Sequence, residues 1–118
     1  MLPMNMGRLG ANVGTNMAEA EYLIDRLLVA RSRTRGEIEF RLLVGVPRAG
    51  AGDLRWACSV SIEPLERGTR DIWGADAQQA LDLALKHVRL ALREYGERGF
   101  PIYFQNGQLF DVDTDAIL

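Results

Sequence analysis

The feature that most constrains how this chain can fold is a strict two-residue alternation that occurs twice. From Glu37 to Val46, the side chains of Ile38, Phe40, Leu42, Val44 and Val46 fall on one side of an extended backbone, and Glu37, Glu39 and Arg41 fall on the other. From Leu54 to Glu63 the device recurs, with Trp56, Cys58, Val60 and Ile62 on one side and Arg55, Ala57, Ser59 and Ser61 on the other. Pro47 ends the first run and Pro64 the second, because proline cannot donate to a strand ladder. A loop of about seven residues joins the two runs as an antiparallel pair. Half-buried strands need a second layer over their apolar side.

The stretch that supplies this layer is DIWGADAQQALDLALKHVRLAL, residues 71–92. Asp76 has the side chain of an N-cap, and Gln79 three residues later completes an Asp-x-x-Gln capping box, which predicts a helix from about Ala77 to Gly96. At 100° per residue, Ala77, Ala80, Leu81, Ala84, Leu85, Val88, Ala91, Leu92 and Tyr95 share one arc, opposite Gln78, Asp82, Lys86, Arg89 and Arg93. The alanines let this helix approach the sheet closely, with Trp56 placed to cover the gap. Gly74 is read as a hinge that turns the chain sharply out of a short strand, Thr69 to Trp73, into the cap. Leu83 and Leu90 lie outside the arc, flanking His87.

Two further segments complete the sheet. In PIYFQNGQLFDV, Asn106-Gly107 is the pair favoured by a two-residue type I′ turn, and that register sets Tyr103 opposite Phe110 and Phe104 opposite Leu109. Residues 21–31 read two ways. Ala20, Leu23, Ile24, Leu27 and Ala30 make a helical stripe, and Asp25 with Arg26 breaks strand alternation; yet the RTRG turn at residues 33–36 could close a hairpin with the following strand. The expected architecture is α+β: an antiparallel sheet of about five or six strands with one long helix packed on one face.

The 118 residues suit a single domain, placed at 19–118, after an N-terminal stretch to about residue 18. That stretch holds three Gly, three Asn and four Met without an apolar period and reads as a flexible tail, inside which Met17 is an alternative start to Met1. Fourteen basic against sixteen acidic residues create no global attraction to nucleic acid or to an anionic membrane. The lone Cys58 excludes an internal disulfide. No run approaches a membrane span, and the N-terminus lacks the form of a signal peptide, so a cytoplasmic protein is predicted.

The pairing of Trp-x-Cys in a strand (Trp56, Cys58) with Trp-Gly-x-Asp-x-x-Gln-Ala-Leu-x-Leu-Ala-Leu (Trp73 to Leu85) resembles a family of small uncharacterised bacterial proteins, a domain of unknown function. Gly45-Val46-Pro47 resembles the Gly-Arg-Pro or Gly-Ala-Pro strand end of that family, and the match covers roughly residues 20 to 105. Trp73 stands where the family motif has Tyr, which keeps a packing role and removes a phenol. The resemblance implies an opening β-hairpin, hence the strand reading of residues 22–32. It implies no activity and carries no catalytic residue across.

The chemistry must therefore come from the residues themselves. His87 lies on a helix flank and Cys58 on a buried strand side, so the pair is read as architecture rather than a nucleophile and its base. Asp111, Asp113 and Asp115 echo the start of a calcium loop without its glycine or its final Glu, and read as a solvated acidic end. Residues 50–53, Gly-Ala-Gly-Asp, lack the lysine and the helix of a phosphate loop. No catalytic, cofactor or metal residues are assigned.

The expected function is a non-enzymatic protein-protein interaction domain of immunity or accessory type. Leu83, Leu90, Tyr103, Phe104, Leu109 and Phe110 are its candidate interface, with a homodimer or another protein as partner. A small-ligand or enzyme site near Trp73 to Asp76, using Arg70, Asp71 and Asp76, is the second reading. Phosphate or nucleic-acid contact through Arg31, Arg33 and Arg35 is the third.

Overall fold

The computed structural model describes residues 21–50 and 55–117. The expected tail at residues 1–18, the choice between Met1 and Met17, and most of the Gly-Ala-Gly-Asp stretch lie outside the described residues. Six strands and one helix follow in order: β1 (Tyr22–Ser32), β2 (Gly36–Gly45), β3 (Arg48–Ala49), β4 (Trp56–Ser61), β5 (Thr69–Gly74), α1 (Ala77–Glu97) and β6 (Ile102–Phe104). All pairings are antiparallel. The end of β2 and the short β3 share one edge of β4, β5 lies on its other edge, and β1 and then β6 extend the sheet beyond β2.

Residues 22–32 form a strand, and pairing rather than propensity decides it. β1 is matched to β2 from Tyr22↔Gly45 to Ser32↔Gly36, with a bulge between Tyr22 and Ile24. Ser32 Oγ accepts from the amides of Thr34 (3.3 Å) and Arg35 (3.1 Å), and Gly36 at φ 89° completes the turn. Asp25 projects to the outer side, where Arg41 of β2 clamps it with two 2.8 Å hydrogen bonds. Arg26 points to the core side, its guanidinium 5.2 Å from the Phe104 ring centroid and donating to the carbonyl of Ala116 at 3.1 Å. Its stem is packed while its charge reaches backbone oxygen, so a polar residue here does not break the strand.

The core-facing side of the sheet carries Leu28, Phe40, Leu42, Val44, Cys58, Val60 and Ile62. α1 covers this side over β4 and β5 with Ala80, Ala84, Val88, Ala91 and Leu92. Phe110 and Ile117, from the chain that follows β6, fill the same core. The segment 111–117 is thus a folded turn, with the Asp111 and Asp113 side chains exposed as expected of a solvated acidic end. Asp115 N–H donates to the Asp111 carbonyl at 2.9 Å, Arg89 donates to the Val112 and Asp115 carbonyls, and Arg93 pairs with the Asp113 carboxylate.

The helix begins as its cap specifies. Asp76 Oδ1 accepts from the Gln79 amide at 2.8 Å, and Gln79 Oε1 accepts from the amide of Ala75 at 2.6 Å. It ends later than expected, because Gly96 remains helical and Gly99, at φ 97°, provides the left-handed residue. Phe100 N–H returns to the Tyr95 carbonyl (2.8 Å) and Gly99 N–H to that of Gly96 (3.0 Å), with the Tyr95 and Phe100 rings edge to face at 6.5 Å. This is a Schellman motif with its hydrophobic contact.

The 102–110 hairpin keeps its turn but differs from the expected register by one residue. Gly107 N–H bonds to the Phe104 carbonyl (3.0 Å) and Phe104 N–H to that of Gln108 (2.8 Å), with only Gly107 at positive φ. Asn106 does not adopt the left-handed conformation that type I′ demands; its Oδ1 accepts from the Gln108 amide instead. The loop has three residues, a type I turn followed by a left-handed glycine. Tyr103 therefore stands opposite Leu109, and Phe110 bonds back to Ile102. A shift of one residue exchanges faces, which carries Phe110 into the core and leaves Leu109 outside.

Candidate functional site

With α1 on one side, the other side of the sheet has no covering element among the described residues. Alternation places Leu27, Val29, Leu43 and Tyr103 there, interleaved with Asp25, Arg31, Glu39 and Arg41. Leu109, Tyr103 and Val29 make a row across three adjacent segments, since Tyr103 is matched to both Leu109 and Val29. Leu27 is 47% exposed and Leu109 54%. The charges on this side are paired: Arg41 with Asp25, and Arg31 with Glu37 at 2.8 Å while its guanidinium covers the Tyr103 ring at 4.6 Å. The result is an apolar strip edged by ion pairs.

At one end of this side, a groove of about 420 Å³ opens where β1 begins and the chain leaves β2 at Pro47, bounded by Tyr22, Leu43, Gly45, Arg48, Ser59 and Thr69. Arg48 donates to Ser59 Oγ and to Asp71 Oδ2, both at 2.9 Å, and Ser59 donates to Asp71 Oδ1 at 2.8 Å. Each member of this closed triangle satisfies the other two. Arg48 and Ser59 carry no motif; the available signal was that Ser59, Ser61 and Asp71 alternate onto one side of neighbouring strands.

Cys58 points the opposite way, fully buried in the core, with its Sγ 3.2 Å from the Gly45 carbonyl. Desolvation holds the thiol above its usual pKa, which suppresses the nucleophilic thiolate. His87 is occupied elsewhere, its Nε2 3.4 Å from Glu66 Oε1 in the β4–β5 loop.

The residues singled out in the sequence separate into three places. Trp56, Cys58, Gly74, Asp76 and Gln79 build the sheet-to-helix junction. Gly74 is a glycine for a reason other than turning. Its φ is not left-handed, but an added Cβ would lie 2.5 Å from Ala80 N and 2.9 Å from Ala80 Cα. Trp73 is not a packing residue of the core: it is 41% exposed on the uncovered side, under the Arg55 guanidinium at 5.0 Å. Asp71 belongs to the Arg48 and Ser59 triangle and Asp76 to the helix cap, so the two aspartates serve separate networks.

The six candidate interface residues do not form one surface. Phe110 is buried, and Phe104 is half-buried against it at 5.3 Å between ring centroids. Tyr103 and Leu109 lie on the uncovered sheet side, while Leu83 and Leu90 project from the helix. Of the three arginines at the β1–β2 turn, Arg31 is paired with Glu37, and Arg35 donates to the Arg98 carbonyl at 2.6 Å beneath the Phe100 ring. No helix among the described residues is long and apolar enough to cross a membrane.

No curated protein and no solved structure matches the chain. One family model does, over residues 24–106, from Ile24, the first buried residue of β1, into the turn that follows β6. That span includes most of the β1–β2 hairpin, the groove triangle and the capped helix, and on it the chain belongs to a domain family of unknown function, DUF6968.

Proposed function

We propose that this protein is a non-enzymatic, accessory or immunity-type domain that holds another protein against the uncovered side of its sheet. The observation that carries the reading is the row Leu109, Tyr103, Val29 with Leu27 beside it: large apolar side chains, two of them about half exposed, on a rigid sheet. Leaving such side chains in water forgoes roughly 1.5 to 3 kcal/mol each, which a partner surface recovers. The flanking Asp25–Arg41 and Arg31–Glu37 pairs form a polar rim that fixes orientation. The fitting partner presents an apolar strip bordered by charges of both signs.

The test is site-specific photo-crosslinking from position 27 or 109 in the native host, followed by reconstitution with the purified partner. Leu27→Asp should weaken that complex at least tenfold, about 1.4 kcal/mol, without changing the thermal midpoint of the free domain. Crosslinks that arise equally from an exposed position on the far side of the helix, such as Lys86, would remove the reading.

A small-ligand role has a narrower basis in the groove that holds Arg48 and Ser59. Its guanidinium is already neutralised by Asp71, so an anionic ligand would have to displace that carboxylate. Binding abolished by Arg48→Ala and unaffected by Leu27→Asp would favour this second reading.

A further inference from the structure

β5 pairs with β4 along its full length, and no strand lies on its other side among the described residues. Antiparallel pairing turns every second N–H and C=O of such an edge strand outward. Neither proline nor a register shift closes this edge. The helix above it shows what fits there. On one flank of α1, Arg89 and Arg93 hold the C-terminal segment, which Arg26 ties to β1. At 100° per residue, Leu83 and Leu90 project from the opposite flank, toward the open edge, 38% and 51% exposed.

We propose that β5 pairs with β5 of a second copy of this chain, antiparallel across a two-fold axis, so that the sheet runs unbroken through a homodimer. An axis normal to the sheet keeps both helices on the same side and centres the pairing on a single residue. Centred on Asp71 it would set two carboxylates face to face, and centred on Arg70 two guanidinium groups; like charges directly opposite destabilise. Centred on Ile72, it sets the two half-buried Ile72 side chains together, Asp71 opposite Trp73, and Arg70 opposite Gly74 of the second copy.

Arg70 identifies the occupant as a second copy rather than an arbitrary strand. It makes no hydrogen bond or ion pair among the described residues and lies on the helix side of β5, where an inward-facing charge turns away a bulky apolar strand. Opposite Gly74 it meets no side chain, and Asp76 of the second copy follows that glycine by two residues, at the start of α1. The complementarity occurs twice, once on each side of the axis.

The dimensions agree. Strands lie about 4.8 Å apart, so a helix centred between β4 and β5 stands about 10 Å from its copy across the axis, the spacing of packed helices. Ala80 abuts Gly74, and Ile72 lies about 7 Å back along β5, equivalent to roughly four to five helical residues beyond Ala80. Leu83 is the flank residue nearest that level and meets its own copy above the Ile72 pair.

The experiment uses the full purified chain alone, which separates it from the foreign-partner reading. Sedimentation velocity at micromolar concentration should give twice the monomer mass, and Leu83→Asp should give the monomer with unchanged helical circular dichroism. Under a mild oxidant, Leu83→Cys should form a disulfide-linked dimer, since Cys58 is buried, while Leu109→Cys at the far end of the sheet should not. Backbone amides of residues 70–73 should exchange more slowly as concentration rises. A monomer for the unmodified chain overturns the proposal. So does a dimer that survives Leu83→Asp, or one that crosslinks through Leu109→Cys instead.

Discussion

Gly74 and Cys58 show how a single atom can be set by what lies across the core. At Gly74 a methyl group would enter the backbone of the first helical turn, at distances of 2.5 to 2.9 Å. Backbone cannot rotate aside as a side chain can, so strand and helix must separate. Gly74→Ala should destabilise the domain by about 1 to 3 kcal/mol in chemical denaturation; an unchanged midpoint would mean the junction is looser than its geometry. Cys58 has no exposed surface, and burial raises its thiol pKa. It should therefore resist iodoacetamide in the native protein and react once denaturant is added. Rapid labelling of the folded chain would return this residue to consideration as a nucleophile.

At the scale of an element, the two glycines near the end of α1 are opposites despite their proximity. Gly96 is helical, its φ is ordinary, and a Cβ there would meet nothing within 4 Å. Gly96→Ala should stabilise the helix by roughly 0.5 to 1 kcal/mol, because alanine loses less backbone entropy. Gly99 sits at φ 97°, and a Cβ would approach the Arg35 guanidinium to 3.2 Å. Gly99→Ala should cost about 1 kcal/mol or more, through strain and a weakened Schellman turn. Paired thermal melts distinguish the two sites, and equal shifts of the same sign would refute the assignment of the stop. The sequence predicts a helix ending at Gly96, whereas the left-handed stop is Gly99. The choice came from Phe100, which reaches the Tyr95 carbonyl and ring only if the left-handed residue is at position 99.

For the whole molecule, acid should act through carboxylates far apart in sequence. Arg41 hydrogen bonds hold the Asp25 carboxyl below its ordinary value of 3.8, and the Asp113 amide and the Thr114 side chain and amide do the same for Asp111. A carboxyl lowered on folding contributes stability above its unfolded pKa and loses that contribution as pH falls through the folded value. Stability should thus decline below about pH 4, and Asp25→Asn should flatten that decline in an acid titration followed by circular dichroism. Both groups are exposed, so the effect is modest and should shrink with salt. What the sequence by itself determined is what nearest neighbours along the chain decide: the alternation of β2 and β4, the Asp76 cap and the core arc of α1. These depend on periods of two and 3.6 residues and on side chains bonding backbone within one turn. Tertiary structure alone decided the rest. The strand at residues 22–32, favoured by the family resemblance and not by residue pattern, needed β2 to pair with and Ala116 to receive Arg26; the hairpin register needed a core to draw in Phe110. Gly74 needed a helix pressed against it, and the triangle of Arg48, Ser59 and Asp71 needed three strands side by side. Each rests on an approach between residues distant along the chain, and spacing in sequence does not fix such an approach until the sheet has formed.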